Sequence, residues 1–295
     1  MKPPPFAYHA PESVDEALAD LAGLGDDGKV LAGGQSLIPL LNMRLAAPAA
    51  LVDINAVAGL DAVAVDDTAV TVGATVRHAA LEVHAGAGSA CPLLGQALRL
   101  VAHPVVRNRG TVCGSIAHAD PAGELTAVLA VLGGTVRVVS AGAAPREVDT
   151  EEFFVAPLES VLRPGELVTA VTFPRMPAGT GSAFVELARR HGDYALCGIA
   201  AVVGLADDGA VASARVGAIS IHPTPLVVDC GPVLAGRPLD DAGMAAAAEL
   251  VDDRSEPGAD LHATVAYRRQ LTRVLTARAL ASAANHARTR AQEAV

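Results

Sequence analysis

The chain has 295 residues and a net charge of −10, and 51% of its residues are hydrophobic. This length is sufficient for two domains of ordinary size. An acidic chain without a basic stripe argues against nucleic acid and anionic membranes as partners, and no apolar run reaches the roughly 18 to 20 residues of a membrane span. Since the N-terminal Met1-Lys2-Pro3-Pro4-Pro5 lacks the apolar region of a secretory signal, we expect a soluble, cytoplasmic protein.

The N-terminal block of about residues 1–57 has a β-α-β pattern. Ser13 and Glu16 form a capping box before a helix with apolar residues at helical spacing, and Gly23 and Gly25 end that helix. The other elements predicted here are strands at 6–8, 29–31 and 51–54 and a short helix at 37–45.

The next block, about residues 58–177, alternates between helices and strands. The Asp66-Asp67 pair separates two strands within 60–73, and Thr75 is a candidate N-cap. Helices are predicted at 75–84, 91–102 and 123–132, strands at 134–140, 146–148 and 167–173, and one helical turn at 151–154.

Residues 174–181 contain two Pro and two Gly and are the clearest linker in the chain. Beyond them we predict antiparallel strands at 183–188, 199–205 and 211–221, a hairpin turn at 207–209, and helices at 241–251 and 262–287. The expected domains are therefore 1–177, with subdomains of about 1–57 and 58–177, and 178–295.

The first candidate binding motif is Ala32-Gly33-Gly34-Gln35-Ser36-Leu37, which follows the extended pair Val30-Leu31. Glycine admits positive φ and lets a ligand approach the main chain. Ser36 is a candidate N-cap of the helix that follows, and a helix start favours an anion. A Gly-Gly turn before a helix is common, so this motif alone is weak evidence for a nucleotide site.

A second motif runs from Thr111 to Pro121, with the sequence TVCGSIAHADP, and Arg107-Asn108-Arg109-Gly110 precedes it. We interpret it as a second turn with small, donor-rich residues. Arg107 and Arg109 form a local basic spot that suits a phosphate better than a polymer. Two such turns side by side suit the two phosphates of a dinucleotide, so the residues alone predict a phosphate-bearing ligand.

Together, these motifs resemble the FAD-binding medium subunit of molybdenum hydroxylases, the relatives of xanthine dehydrogenase and carbon monoxide dehydrogenase. Phe6-Ala7-Tyr8, Leu51-Val52-Asp53-Ile54 and the segment from Arg189 to Ala195 also fit, so the resemblance covers essentially the whole chain. It implies an α+β fold with a two-subdomain FAD-binding domain of the vanillyl-alcohol-oxidase (PCMH) type. A smaller α+β C-terminal domain with an antiparallel sheet and helices would follow.

The resemblance also implies that FAD lies between the two N-terminal subdomains, with its pyrophosphate on the glycine motifs. The positions that match the family's cofactor contacts are Leu31, Ala32, Gly33, Gly34, Gln35, Ser36, Leu37, Val101, Ala102, Thr111, Val112, Cys113, Gly114, Ser115, Ala117, His118, Asp120, Glu124, Leu167, Asp193 and Tyr194. No catalytic residue and no metal ligand is expected in this chain.

Particular roles follow from the same resemblance. Ser36, Thr111 and Ser115 would donate to the pyrophosphate. The segment Val101-Ala102 would lie near the adenine, and Ala117 and Leu167 would line the flavin. The pair Asp193-Tyr194 would belong to a loop that approaches the flavin ring.

Some of these positions have alternative interpretations. Glu124 falls where the family has an acid that binds a flavin-side hydroxyl, or it satisfies a helix dipole. His118 and Asp120 form a pair, or Asp120 is an N-cap. Cys113 replaces a usual glycine: at positive φ it would be strained, and at negative φ its thiol would face the ligand.

The other three cysteines, Cys91, Cys197 and Cys230, are predicted to be reduced and buried. Since no cysteine belongs to a C-x-x-C pair, an iron–sulfur cluster or zinc site is not expected here. By resemblance, a large molybdopterin subunit and a small [2Fe–2S] subunit are expected partners, in a dimer of heterotrimers. The acceptor of the flavin's electrons stays open, and the alternatives are a self-contained FAD oxidase and a non-enzymatic nucleotide-binding or assembly module.

Overall fold

The computed structural model describes residues 2–293, and it has the α+β fold predicted from the sequence. Its N-terminal part contains β1 (Ala7–His9), α1 (Val14–Leu24), β2 (Gly28–Leu31), α2 (Leu37–Asn42) and β3 (Ala50–Asp53). The three strands form a parallel sheet in the order β1-β3-β2.

The helix caps in this part agree only in part with the predictions. Ser13 Oγ accepts a hydrogen bond from the Glu16 N–H at 3.2 Å, which confirms the predicted cap of α1. Ser36 does not cap α2: its backbone is already helical, with φ −97° and ψ −45°, and a side-chain cap requires an extended residue. The Ser36 hydroxyl is therefore free for another partner.

The middle of the chain surrounds a five-stranded antiparallel sheet in the order β4-β5-β10-β6-β7, beside a hairpin of β8 and β9. Its elements are β4 (Val63–Val65), β5 (Ala69–Gly73), α3 (His78–Glu82), α4 (Ala85–Ala90), α5 (Pro92–Leu98), α6 (Pro104–Arg107), α7 (Val112–His118), α8 (Glu124–Leu132), β6 (Thr135–Ser140), β7 (Arg146–Asp149), α9 (Thr150–Phe153), β8 (Phe154–Ala156), β9 (Glu159–Ser160) and β10 (Glu166–Pro174).

Two predicted helices in this region are shorter than expected. Thr75 is buried and its N–H donates to Leu60 O, so α3 starts only after Arg77, and the prediction of Thr75 as N-cap is wrong. The helix predicted at 91–102 ends at Leu98, and Ala102 has a φ of 45°. A left-handed residue cannot continue a right-handed helix, so the chain turns there.

The C-terminal part contains β11 (Thr180–Ala188), β12 (Ala195–Leu205), β13 (Val211–Ile219), β14 (Leu226–Asp229), α10 (Gly231–Leu234), α11 (Asp241–Arg254) and α12 (Val265–Glu293). Its strands form an antiparallel sheet in the order β11-β12-β13-β14, and α12 packs across β11 and β12. Within residues 2–293, no helix is both long and apolar enough to cross a membrane.

Helix α8 joins the two larger sheets. Its residues 125 to 131 are all buried, and it contacts both β10 and β13. A Cβ at Gly217 of β13 would lie 2.9 Å from Ala127 O and 2.9 Å from Val131 Cβ. Because the residue in β13 is small, the main chain of α8 lies directly against it, and this contact holds the middle and the end of α8 next to the C-terminal sheet.

The first glycine segment (residues 32–37) packs directly on the chain that precedes the second glycine segment (residues 111–121). A Cβ at Gly33 would overlap Arg109 O and lie 2.8 Å from Gly110 Cα. The Arg77 guanidinium reinforces this contact, since it donates to Arg109 O and to Asn55 Oδ1, each at 2.6 Å. Asn55 in turn donates to Ala32 O at 2.8 Å.

We expect Gly33→Ala to destabilise the chain by about 2 kcal/mol or more, because the added methyl group meets main-chain atoms that cannot rotate away. Urea denaturation of the full chain measures this loss. Gly88→Ala is the matched control, because no atom lies within 4 Å of a Cβ there, and alanine favours its helix by up to about 1 kcal/mol. Equal stability of Gly33→Ala and the unsubstituted chain would contradict the close packing of the two segments.

Candidate functional site

The first glycine segment presents a row of main-chain donors. The N–H groups of residues 33 to 36 have no hydrogen-bond partner among residues 2–293, and Gly34 has a φ of 72°. Residues 33 to 35 line a cleft of about 360 Å³ whose lining also includes Asp53, Asn55 and Arg109. Successive unpaired N–H groups in a concave loop favour an anion.

The second glycine segment starts as a helix, α7, so its prediction as a turn is wrong. Thr111 is extended, with φ −114° and ψ 148°, and its Oγ1 accepts the Gly114 N–H at 3.1 Å. The Val112 N–H donates to Val76 O at 3.1 Å. The Ser115 N–H donates to Thr111 O at 3.0 Å. Three of the N–H groups expected to face a ligand therefore have partners within the chain. The Thr111 hydroxyl can still donate its proton, and Ser115 Oγ lies 2.9 Å from His78 Nε2.

Cys113 faces the protein core. Its backbone is helical, so the alternative of a strained residue at positive φ is wrong. Its thiol is buried and donates to Val72 O at 3.3 Å, so the expectation of a thiol facing the ligand is also wrong. Burial raises the pKa of the Cys113 thiol, which keeps it protonated. Cys91, Cys197 and Cys230 are also free and buried, as expected.

Of the two arginines in the predicted basic spot, only Arg109 lines the cleft. Arg107 is buried and pairs with Glu82, with 2.9 Å between Nε and Oε2. Its Nη1 donates to Val101 O at 3.1 Å and to Ala102 O at 3.2 Å. Arg107 therefore stabilises the left-handed turn at Ala102.

The segment between α7 and α8 places Glu124 at the first position of α8. Gly123, not Asp120, occupies the N-cap position, so the N-cap hypothesis for Asp120 is wrong. Asp120 Oδ1 accepts the Ala122 N–H at 2.8 Å, and no hydrogen bond joins Asp120 to His118 within the described chain. The Ser220 N–H donates to Pro121 O at 2.8 Å, which attaches the segment to the C-terminal sheet.

Glu186 is a half-buried residue of β11 that lies near Glu124, and the sequence did not predict it as a site residue. Burial raises the pKa of Glu124 to about 7. Burial and the nearby charge of Glu124 raise the pKa of Glu186 to about 8. Glu186 Oε2 has no hydrogen-bond partner among the described residues. The local signal for Glu186 was that it is the single charged residue of β11.

The loop between β11 and β12 approaches the turn at Ala102. Gly192 has a φ of 83°, and a Cβ there would lie 2.6 Å from His103 Cε1 and 3.1 Å from the carbonyl carbon of Ala102. Asp193 and Tyr194 follow, and Tyr194 is 71% exposed. The structure thus brings this loop next to the Val101-Ala102 segment.

The remaining predicted positions lie in α7 and β10. Ala117 and His118 are half-buried at the end of α7. Leu167 is 2% exposed and pairs with Val139 in the sheet. No group of three or more His, Cys, Asp or Glu side chains in residues 2–293 is arranged to hold a metal ion.

We expect the chain to lose stability as the pH rises from 4.5 to about 8. An acid whose pKa is higher in the folded chain than in the unfolded chain binds more protons when folded. Its contribution to the free energy of unfolding is complete below its ordinary pKa, and it is lost as the pH rises through the pKa of the folded chain. For Glu124 and Glu186 this interval runs from 4.5 to about 7 and about 8. Urea denaturation at several pH values measures the slope.

Glu186→Gln should flatten this slope, because it removes one of the two titrating groups and its repulsion of the other. The exposed Glu159→Gln is the matched control and should retain the full slope. If Glu186→Gln and the unsubstituted chain show the same pH dependence, the raised pKa of Glu186 is wrong.

Two family models match the chain in succession. The model of the FAD binding domain in molybdopterin dehydrogenase matches residues 4–176, and that of the CO dehydrogenase flavoprotein C-terminal domain matches residues 182–283.

Curated relatives align over nearly the full length. The alpha subunit of the 6-hydroxypseudooxynicotine dehydrogenase complex of Paenarthrobacter nicotinovorans is 40% identical, over 98% of this chain and 97% of the relative. The carbon monoxide dehydrogenase medium chain of Afipia carboxidovorans is 34% identical, over 95% and 97%.

Solved structures show the same fold. A chain of carbon monoxide dehydrogenase from Hydrogenophaga pseudoflava has a TM-score of 0.91 and 33% identity, over 98% of this chain and 99% of that one. Quinoline 2-oxidoreductase from Pseudomonas putida 86 contains a chain with a TM-score of 0.91 and 36% identity, over 97% and 99%. The chain therefore belongs to the family of FAD-binding medium subunits of the molybdenum hydroxylases, which are oxidoreductases.

Proposed function

We propose that this chain is the FAD-carrying electron-transfer subunit of a heteromeric molybdenum hydroxylase. It takes electrons from the [2Fe–2S] clusters of a small partner subunit and passes them to an external acceptor. A large partner subunit holds the molybdopterin cofactor and oxidises the substrate, and the expected assembly is a dimer of heterotrimers. The names of the relatives as medium chains and subunits of dehydrogenases support this proposal.

The observation that most strongly supports it is the run of unpaired N–H groups at residues 33 to 36. Residues 33 to 35 of this run line the same cleft as Arg109. Main-chain N–H groups and a guanidinium are donors that suit the oxygens of a diphosphate.

The donors that these residues offer also suit the pyrophosphate of FAD chemically. The N–H groups of Gly33 and Gly34 have no hydrogen-bond partner among residues 2–293, and Gly34 adopts a positive φ of 72° that glycine accepts readily. The Ser36 hydroxyl is not used as a cap, and Thr111 and Ser115 stand at the start of α7. These three hydroxyl groups would donate to the pyrophosphate. When bound, FAD supplies one-electron and two-electron redox chemistry, and the chain supplies binding and electrostatics.

The rest of the cofactor would follow the surface between α7, α8 and the loop of residues 189–194. The turn at Val101-Ala102 would contact the adenine, and Arg107 holds its carbonyl groups in place. Glu124 would bind a flavin-side hydroxyl group. Because its pKa is about 7, the Glu124 carboxyl group can donate or accept a hydrogen bond near neutral pH. Tyr194 is exposed in a loop that would approach the flavin ring.

The substrate of the complex would be set by the large partner subunit. The relatives are named for different substrates, among them caffeine, nicotine and carbon monoxide, although their medium subunits align over almost all of this chain. A conserved flavin subunit would thus serve several oxidation reactions whose substrate pockets lie in another chain.

Gly34→Val tests the assignment of the first glycine segment. Its Cβ would lie 3.1 Å from Ile38 Cγ1 and 3.2 Å from Leu31 Cδ1, and φ is 72°, so a β-branched residue would distort the donor row. We expect FAD to bind at least about tenfold more weakly, a loss of roughly 1.4 kcal/mol. The ratio of flavin to protein absorbance after reconstitution, with circular dichroism as a fold check, measures this.

Gly236→Val is the matched control, because Gly236 has a φ of 78° and no atom within 4 Å of a Cβ. It carries the same backbone strain outside the cleft and should retain FAD. Equal retention of flavin by both variants would contradict the phosphate assignment. Absence of flavin from the reconstituted unsubstituted chain would favour a non-enzymatic module, and substrate turnover by the isolated chain would favour a self-contained oxidase.

A further inference from the structure

His78 lies beneath the second glycine segment. It is the first residue of α3, and it is only 3% exposed. Its N–H donates to Gly110 O at 2.9 Å, and a Cβ at Gly110 would lie 2.9 Å from both Nδ1 and Cε1 of the imidazole. Tight packing on this glycine therefore leaves the ring little freedom to rotate.

The two ring nitrogens of His78 have different surroundings. Nε2 lies 2.9 Å from Ser115 Oγ, whereas Nδ1 is buried without a hydrogen-bond partner among the described residues. Burial lowers the pKa of His78 to about 4, so at neutral pH the ring has one N–H. Nδ1 is unpaired in either tautomer, as a donor or as an acceptor. Buried N–H groups without a partner are rarer in proteins than incompletely paired buried acceptors, and this favours the tautomer with the proton on Nε2.

This tautomer determines what the Ser115 hydroxyl can do. If the Nε2–H donates to Oγ, then the imidazole uses an acceptor site of the hydroxyl and leaves its proton free. The hydroxyl then donates to another group, and an anion is the partner that it favours.

We infer that His78 is a positioning residue that fixes the Ser115 hydroxyl as a donor toward the diphosphate of FAD. The inference rests on the proposed function, since it assumes that FAD binds at the second glycine segment. It goes further by assigning a role to a buried side chain that does not contact the ligand.

The test compares two replacements of His78 that have similar volumes. His78→Gln offers an amide N–H near the position of Nε2, whereas His78→Met removes the donor. We expect His78→Met to weaken FAD binding by the full chain about tenfold, the effect of one hydrogen bond to a charged group. His78→Gln should restore most of the affinity, measured by quenching of flavin fluorescence.

A double-mutant cycle with Ser115→Ala separates positioning from general packing. In the Ser115→Ala background, His78→Met should cause no further loss of FAD affinity, because the hydroxyl that it orients is absent. Equal losses in the two backgrounds, or equal losses from His78→Gln and His78→Met, would overturn the inference while FAD binding itself stands. Failure of the unsubstituted chain to bind FAD would instead refute the proposed function.

Nitrogen-15 NMR of the unsubstituted chain gives a test that does not depend on folding of the variants. We expect the His78 ring to be neutral at pH 7 with its proton on Nε2. A proton on Nδ1 would overturn the inference, because Ser115 would then have to donate to the ring instead of to a ligand.

Discussion

The approach of the main chain at Gly33 to that at Arg109 and Gly110 is the contact on which the proposed site depends. It places two segments from different parts of the sequence closer than any side chain would allow. Arg77 and Asn55 link the same two stretches through three hydrogen bonds that end on Arg109 O and Ala32 O. The donor row at residues 33 to 36 and the hydroxyls of α7 thus belong to one rigid arrangement.

The sequence was sufficient for features that depend on neighbouring residues. The cap of α1 at Ser13 and the hairpin turn at residues 207–209 follow from local spacing, and the structure contains them. The α+β fold, which the family resemblance implied, is also present. The sequence was less informative where tertiary contacts determine the backbone conformation. Thr75 was expected to cap a helix, but its N–H pairs with Leu60 O, a contact that no local pattern indicates.

The same distinction applies to the site. The glycine motifs identified both segments, yet α7 was predicted as a turn because its residues are small and rich in donors. Gly114 also lowers the helix propensity of this segment. The cap from Thr111 to the Gly114 N–H offsets that cost. Asn55, Arg77 and Glu186 were missed, since each matters only through a partner that is distant in sequence. For Glu186 that partner is Glu124, which belongs to a different part of the chain.

Helix α8 has one further consequence. It is buried between the sheet that contains β10 and the sheet that contains β13, and Gly217 admits it at main-chain distance. Because α8 has no exposed face, it belongs to the hydrophobic core of both halves of the molecule. During evolution, exchange of the C-terminal half between family members would therefore require a residue as small as glycine opposite Ala127, so the two halves are constrained to change together.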